Sequence, residues 1–128
     1  MARQNAETAV IVQVESGEAI EELPNTVRVP GIDAVMVGPN DLSISLGVAG
    51  EFDHPKFLAA LKRIAEVCTP SPVAAGIHLG DAKRLAACRD MGYRFLIYST
   101  DMTLMVSALR QSLGSLRKAV VSAKETVY

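Results

Sequence analysis

"DAVMVGPNDLS", residues 33–43, decides how the chain is read. Ala34 to Val37 form a short, uninterrupted apolar run that stops at Gly38 and Pro39. Strands covered on both faces read this way, without the apolar–polar alternation of a half-exposed strand. Gly38 permits a sharp exit or a close backbone approach. Pro39 fixes φ and has no N–H to donate. Asn40 and Asp41 then open "DLSISLG", which reads as a helical turn. The stretch is a strand-to-helix junction, and it displays the carboxylate of Asp41 at the tip of the strand.

Three further runs have the same character: "AVIVQVE" (9–15), "VAAGIHL" (73–79) and "RFLIYS" (94–99). Helix-like segments separate them. "SGEAIEELPN" is a short helix started by Ser16 and stopped by Pro24 and Asn25. "PKFLAALKRIAEVC" places Phe57, Leu58, Leu61, Ile64, Ala65 and Cys68 on one stripe, with Pro55 in its first turn and Asp53 as its cap. "DAKRLAACRDMG" has Asp81 near its N-cap and Gly92 closing it. The last segment starts at Asp101, which caps it. It carries Leu104, Met105, Ala108, Leu109, Leu113, Leu116 and Val120, and runs to about Lys124. The order strand–helix, repeated four times, predicts right-handed βαβ units and one parallel sheet.

The fold class is therefore α/β, a single domain over residues 1–128 with a parallel (β/α)4 pattern. That is half of a TIM-type (β/α)8 barrel. Four strands leave two edges with unpaired backbone groups. Three arrangements meet that problem. The chain is a piece of a larger barrel, or it associates to cover its edges, or it is a self-contained open sheet with helices on both faces.

Bulk composition narrows the function. The chain has 128 residues, 49% hydrophobic and 21% charged, which is globular rather than disordered. A net charge of −1 with no Lys/Arg run argues against nucleic-acid binding. No apolar stretch reaches the roughly 20 residues that span a bilayer. The polar start "MARQNAET" lacks the core of a signal peptide. Cys68 and Cys88 read as reduced, buried thiols, and the expected location is cytoplasmic.

Chemistry concentrates where strands end. Glu15 closes the first run and Asp41 follows the second. In a parallel sheet all C-terminal strand ends share one rim, and neighbouring strands lie about 4.8 Å apart. Two carboxylates so placed repel unless a cation lies between them. Mg²⁺ is held in this way, by one or two carboxylates plus water and substrate. The alternative is that both are solvated loop acids. For the GPND turn, free N–H groups at a helix start that bind an anion stand beside an ordinary turn capped by Asn40 or Asp41. His78 lies in the third strand run as a hydrogen-bonded core or rim residue, with substrate contact as the alternative, and His54 reads as surface. Asp81 lies on the same rim as a cap. Ser43 and Ser45 have no base at readable spacing, which sets nucleophilic catalysis aside. There is no zinc spacing and no glycine-rich nucleotide loop.

"QVES-EA" (13–19), "VPGIDAVMVGPNDLS" (29–43) and the later "GI-L" and "GYRF" spacing resemble the HpcH/HpaI aldolases, metal-dependent pyruvate aldolases of the phosphoenolpyruvate/pyruvate barrel superfamily. The resemblance covers about Ala6 to Arg117. It implies a lyase that cleaves 4-hydroxy-2-oxo acids reversibly to pyruvate and an aldehyde. Glu15 and Asp41 become ligands of a divalent ion (Mg, Mn or Co), which as a Lewis acid stabilises enolate charge. Gly38, Pro39, Asn40 and Asp41 become the pyruvate-binding turn, with the N–H groups of Asn40 and Asp41 on the substrate carboxylate. The family's enolate-stabilising arginine and its proton-handling histidine belong to the first half of the barrel, so no catalytic residue is assigned within this chain. The partners implied are pyruvate or another 2-oxo acid, and either a second copy or an N-terminal half. The last helix resembles one exchanged between subunits. The alternative implied by the same comparison is a non-catalytic half-barrel that keeps the fold and metal or pyruvate binding.

Overall fold

The computed structural model describes residues 7–125. The chain divides into two compact units, one up to Tyr98 and one from Ser99 onward. The first unit contains four strands: β1 (Ile11–Val14), β2 (Ala34–Val37), β3 (Ala74–Leu79) and β4 (Phe95–Tyr98). Between them lie α1 (Gly17–Thr26), α2 (Pro39–Ser45), α3 (Pro55–Cys68) and α4 (Ala82–Asp90). The second unit is the helix α5 (Asp101–Glu125).

The strands are all parallel and stand in sequential order, β1-β2-β3-β4. Successive right-handed crossovers running in one direction put every covering helix on the same face. Burial follows that rule. Val14, Val35, Val37, Ala75, Ile77 and Leu79 join the helix residues Ile20, Leu23, Phe57, Leu61, Ile64 and Leu85 in one core. Gln13, Met36, Gly76 and Phe95 form a row on the opposite face. Within the first unit, the open sheet with helices on both faces is thus not what forms. The (β/α)4 half-barrel pattern is.

Local sequence accounts for most element boundaries. Ser16 caps α1 by accepting from the Ala19 N–H at 3.2 Å. Asp81 caps α4 by accepting from Lys83 and Arg84. Gly92, at φ +107, closes α4 in a conformation that favours glycine.

Four expectations need correction. Pro24 lies inside α1, which runs on to Thr26. It sits in the last turn, where a lost N–H costs a single ladder bond. The cap of α3 is His54, whose Nδ1 accepts from the Lys56 N–H at 3.1 Å, whereas Asp53 is drawn to Arg84. Thr100 accepts from the Thr103 N–H at 3.2 Å and caps α5, leaving Asp101 as its first residue. On α3, Leu58 is exposed and Ala60 is buried in its place, because the stripe centres on Phe57, Leu61, Ile64 and Cys68.

Gly76 shows how tight the sheet is. A Cβ there would lie 2.8 Å from a Phe95 ring carbon and 3.0 Å from the Val35 carbonyl oxygen. Tyr93 is buried beside the core and donates its hydroxyl to the Leu61 carbonyl at 3.1 Å. Cys68 and Cys88 are free and buried, as expected.

Candidate functional site

One step beyond the pair Val14–Val37 the chain reaches Glu15 on one strand end and Gly38 on the next. The same step along β3 reaches His78, paired with Ile97. Glu15, Gly38 and His78 therefore form a row across the C-terminal ends of three adjacent strands. The Gly38 N–H donates to the Val14 carbonyl at 3.1 Å, which carries the β1–β2 pairing right up to this row.

Within the row, Glu15 leans over Gly38. A Cβ on Gly38 would meet Glu15 Oε1 at 2.5 Å and Cγ at 2.7 Å. Gly38 has an ordinary φ of −86°, so its backbone does not call for glycine. The space taken by Glu15 does. Glu15 is half-buried, and Gln13 holds it by donating from Nε2 to Oε1. Gln13 and Glu15 are two residues apart, so strand alternation puts them on one face. That spacing was legible in "QVE".

Gly38 is also the N-cap of α2, with no side-chain cap bond, and Pro39 is its first residue. Asn40 and Asp41 lie inside the first turn and are exposed, so the reading of either as the cap does not hold. Among the described residues nothing accepts their N–H groups, which is usual for the first turn of a helix. Leu42, fully buried, anchors the turn.

Serine hydroxyls tie this region together. Ser43, fully buried, donates to the Asn40 carbonyl at 2.7 Å and accepts from the Gly50 N–H at 2.9 Å. Ser45 accepts from the Gly17 N–H at 3.1 Å. Sequence reading weighed both serines only as nucleophiles and missed these bonds.

Near the rim, Arg84 pairs with Asp53 through two bonds, at 2.6 and 3.2 Å, and lies 5.8 Å from the centre of the Phe52 ring. The hydrogen bond from Arg84 holds the Asp53 carboxyl below the usual range, and Asp53 raises Arg84 in return. Backbone N–H bonds from Arg84 and Lys83 lower Asp81. The 31-residue separation of Asp53 and Arg84 left no local signal in the sequence.

No group of three or more His, Cys, Asp or Glu able to hold a metal exists among the described residues. Glu15 and Asp41 supply two hard oxygen donors, a set that suits a divalent ion completed by water and substrate. The gap left by the missing Cβ of Gly38 is occupied by the Glu15 side chain itself, so this carboxylate lies against the start of the turn that carries Asp41.

Comparison with known proteins places the chain. The hydroxypyruvate/pyruvate aldolase of Paraburkholderia phytofirmans is 38% identical over 113 residues, 88% of this chain and 44% of that protein. The 4-hydroxy-2-oxo-heptane-1,7-dioate aldolase of Escherichia coli is 30% identical over 126 residues, 98% of this chain and 48% of that protein. The crystal structure of an HpcH/HpaI aldolase/citrate lyase family protein from Burkholderia cenocepacia J2315 superposes with a TM-score of 0.83 at 38% identity. That match covers 88% of this chain and 44% of the other. The chain spans less than half the length of the curated relatives it matches. The model of the HpcH/HpaI aldolase/citrate lyase family matches residues 1–108, and the chain belongs to that family.

Proposed function

We propose that this chain carries the metal- and pyruvate-binding half of a class II aldolase site. Within a complete barrel it serves the reversible cleavage of a 4-hydroxy-2-oxo acid to pyruvate and an aldehyde. The observation that carries the reading is the Glu15 carboxylate lying across Gly38, at the start of the helix that presents Asp41. The aldolase names of the Paraburkholderia and Escherichia relatives support the same reaction type.

In this reading Glu15 and Asp41 hold a divalent cation, Mg²⁺, Mn²⁺ or Co²⁺. Such an ion supplies Lewis acidity, favouring negative charge on the oxygen next to the bond being broken. The chain's own groups do the rest of the binding. Gln13 fixes the carboxylate of Glu15 by its Nε2 donation. Gly38 leaves room for the Glu15 carboxylate, and Pro39 presents no competing N–H. The N–H groups of Asn40 and Asp41 take the substrate carboxylate. The arginine and the histidine that handle charge and proton are contributed by the strands that complete the barrel. Those strands come from an N-terminal half or from a second copy, and the apolar stripe of α5 is a subunit contact.

A second reading, a half-barrel that binds but does not turn over, is favoured by the position of the histidines. His54 is committed as a helix cap, which leaves His78 as the one histidine in the sheet. The test is exchange of pyruvate methyl protons in deuterated water with Mn²⁺, followed by NMR on the chain assembled with the strands that complete the barrel. The reaction proposed requires exchange that depends on metal and disappears in Glu15→Ala. Binding of metal and pyruvate without exchange selects the second reading. Exchange that is indifferent to metal contradicts both.

A further inference from the structure

Ser45 belongs to neither carboxylate motif, yet its hydroxyl joins the two turns that carry them. It accepts from the Gly17 N–H at 3.1 Å across 28 residues of sequence. On the α2 side, Ser45 stands four residues after Asp41, so the two share one helix face. On the β1 side, Gly17 stands two residues after Glu15 and is the first residue of α1. The Gly17 N–H is one of the donors that a helix start leaves without an intrahelical acceptor. Ser16 takes the Ala19 N–H of the same turn, and Ser45 takes that of Gly17. Ser43 holds α2 at another point, bonding the Asn40 carbonyl and the Gly50 N–H. Side chains thus fix the helix that presents Asp41 at two places, and of these the Ser45 bond runs to the turn that follows Glu15; the backbone bond from Gly38 to the Val14 carbonyl joins the start of the helix to the same strand end.

We propose that Ser45 is a positioning residue that sets the gap between Glu15 and Asp41. The inference rests on the reading of those two carboxylates as a metal pair. Without the hydroxyl, α2 keeps its anchor on Leu42, its Ser43 bonds and the Gly38 bond to Val14 at its start, but its last turn loses its side-chain tie to the turn after Glu15. The fold survives and the spacing of the two carboxylates loosens.

The experiment is Mn²⁺ titration of the full chain by electron paramagnetic resonance, with thermal unfolding of each variant alongside. Loss of one hydrogen bond is expected to weaken Mn²⁺ binding about three- to tenfold in Ser45→Ala. Ser45→Thr, which keeps the hydroxyl, is expected to bind as the parent does. Glu15→Ala is expected to abolish binding. Parent-like affinity in Ser45→Ala, with Glu15→Ala inactive in binding, overturns the role of Ser45 and leaves the metal site standing. Equal weakening in Ser45→Ala and Ser45→Thr also overturns it, because the hydroxyl is then irrelevant. Unchanged binding in Glu15→Ala overturns the metal pair itself.

Discussion

At the scale of single residues, Gly38 carries more of the site than its backbone suggests. Its φ of −86° suits any residue, so a methyl group there tests space alone. That methyl would lie 2.5 Å from Glu15 Oε1, and something must shift. Because Glu15 is a flexible side chain near the surface, the carboxylate moves rather than the sheet. Gly38→Ala is therefore expected to lose at least tenfold in Mn²⁺ affinity while its melting temperature changes little. A large stability loss with unchanged affinity would contradict this. The placement of Glu15 and Asp41 just after strand ends was legible in the sequence, because apolar runs stop shortly before them. The contact between Glu15 and Gly38 was not, since it depends on the register of β1 against β2, which no local pattern encodes.

At the scale of elements, the sheet and its helices follow from the sequence, and the caps show where local reading fails. Ser16 and Asp81 cap as their types suggest. His54 displaces Asp53 because Arg84, 31 residues away, takes that carboxylate. Such competition from distant residues cannot be read from a window of ten. Among the core contacts between elements, Tyr93 gives a clean test. Its hydroxyl bonds the Leu61 carbonyl of α3, and burial holds its phenol far above the ordinary value of 10.0. Burial raises Cys68 and Cys88 as well. These groups are acids whose folded-state values are raised, so the unfolded chain releases protons first as pH rises. Their stabilisation is complete below pH 9 and declines above it. Tyr93→Phe is expected to cost about 1 kcal/mol at neutral pH and to flatten the decline in melting temperature above pH 10. A variant with the parent's alkaline slope would contradict this account.

At the scale of the whole molecule, exposed apolar side chains gather on the edge strands and on the last helix. β1 and β4 are the edges of the sheet. Ile11, Leu96, Ile97 and Tyr98 on those strands are exposed. On α5, Leu104, Met105, Leu109, Leu113 and Leu116 are exposed too. Unpaired strand edges and an apolar helix stripe favour association. Light scattering of the 13.7 kDa chain by itself is expected to give a mass above the monomer, and a stable monomer would contradict that. The repeating strand–helix order announced the half-barrel, and the paired motifs announced the family.

In the proposed site, Glu15 at the end of β1 and Asp41 in the first turn of α2 hold one divalent cation. Mn²⁺ titration of the parent chain, Glu15→Ala and Asp41→Ala tests it most directly. One Mn²⁺ site per chain is expected in the parent and loss of that site in each variant, with all three folded by circular dichroism. Parent-like Mn²⁺ affinity in either folded variant would contradict it.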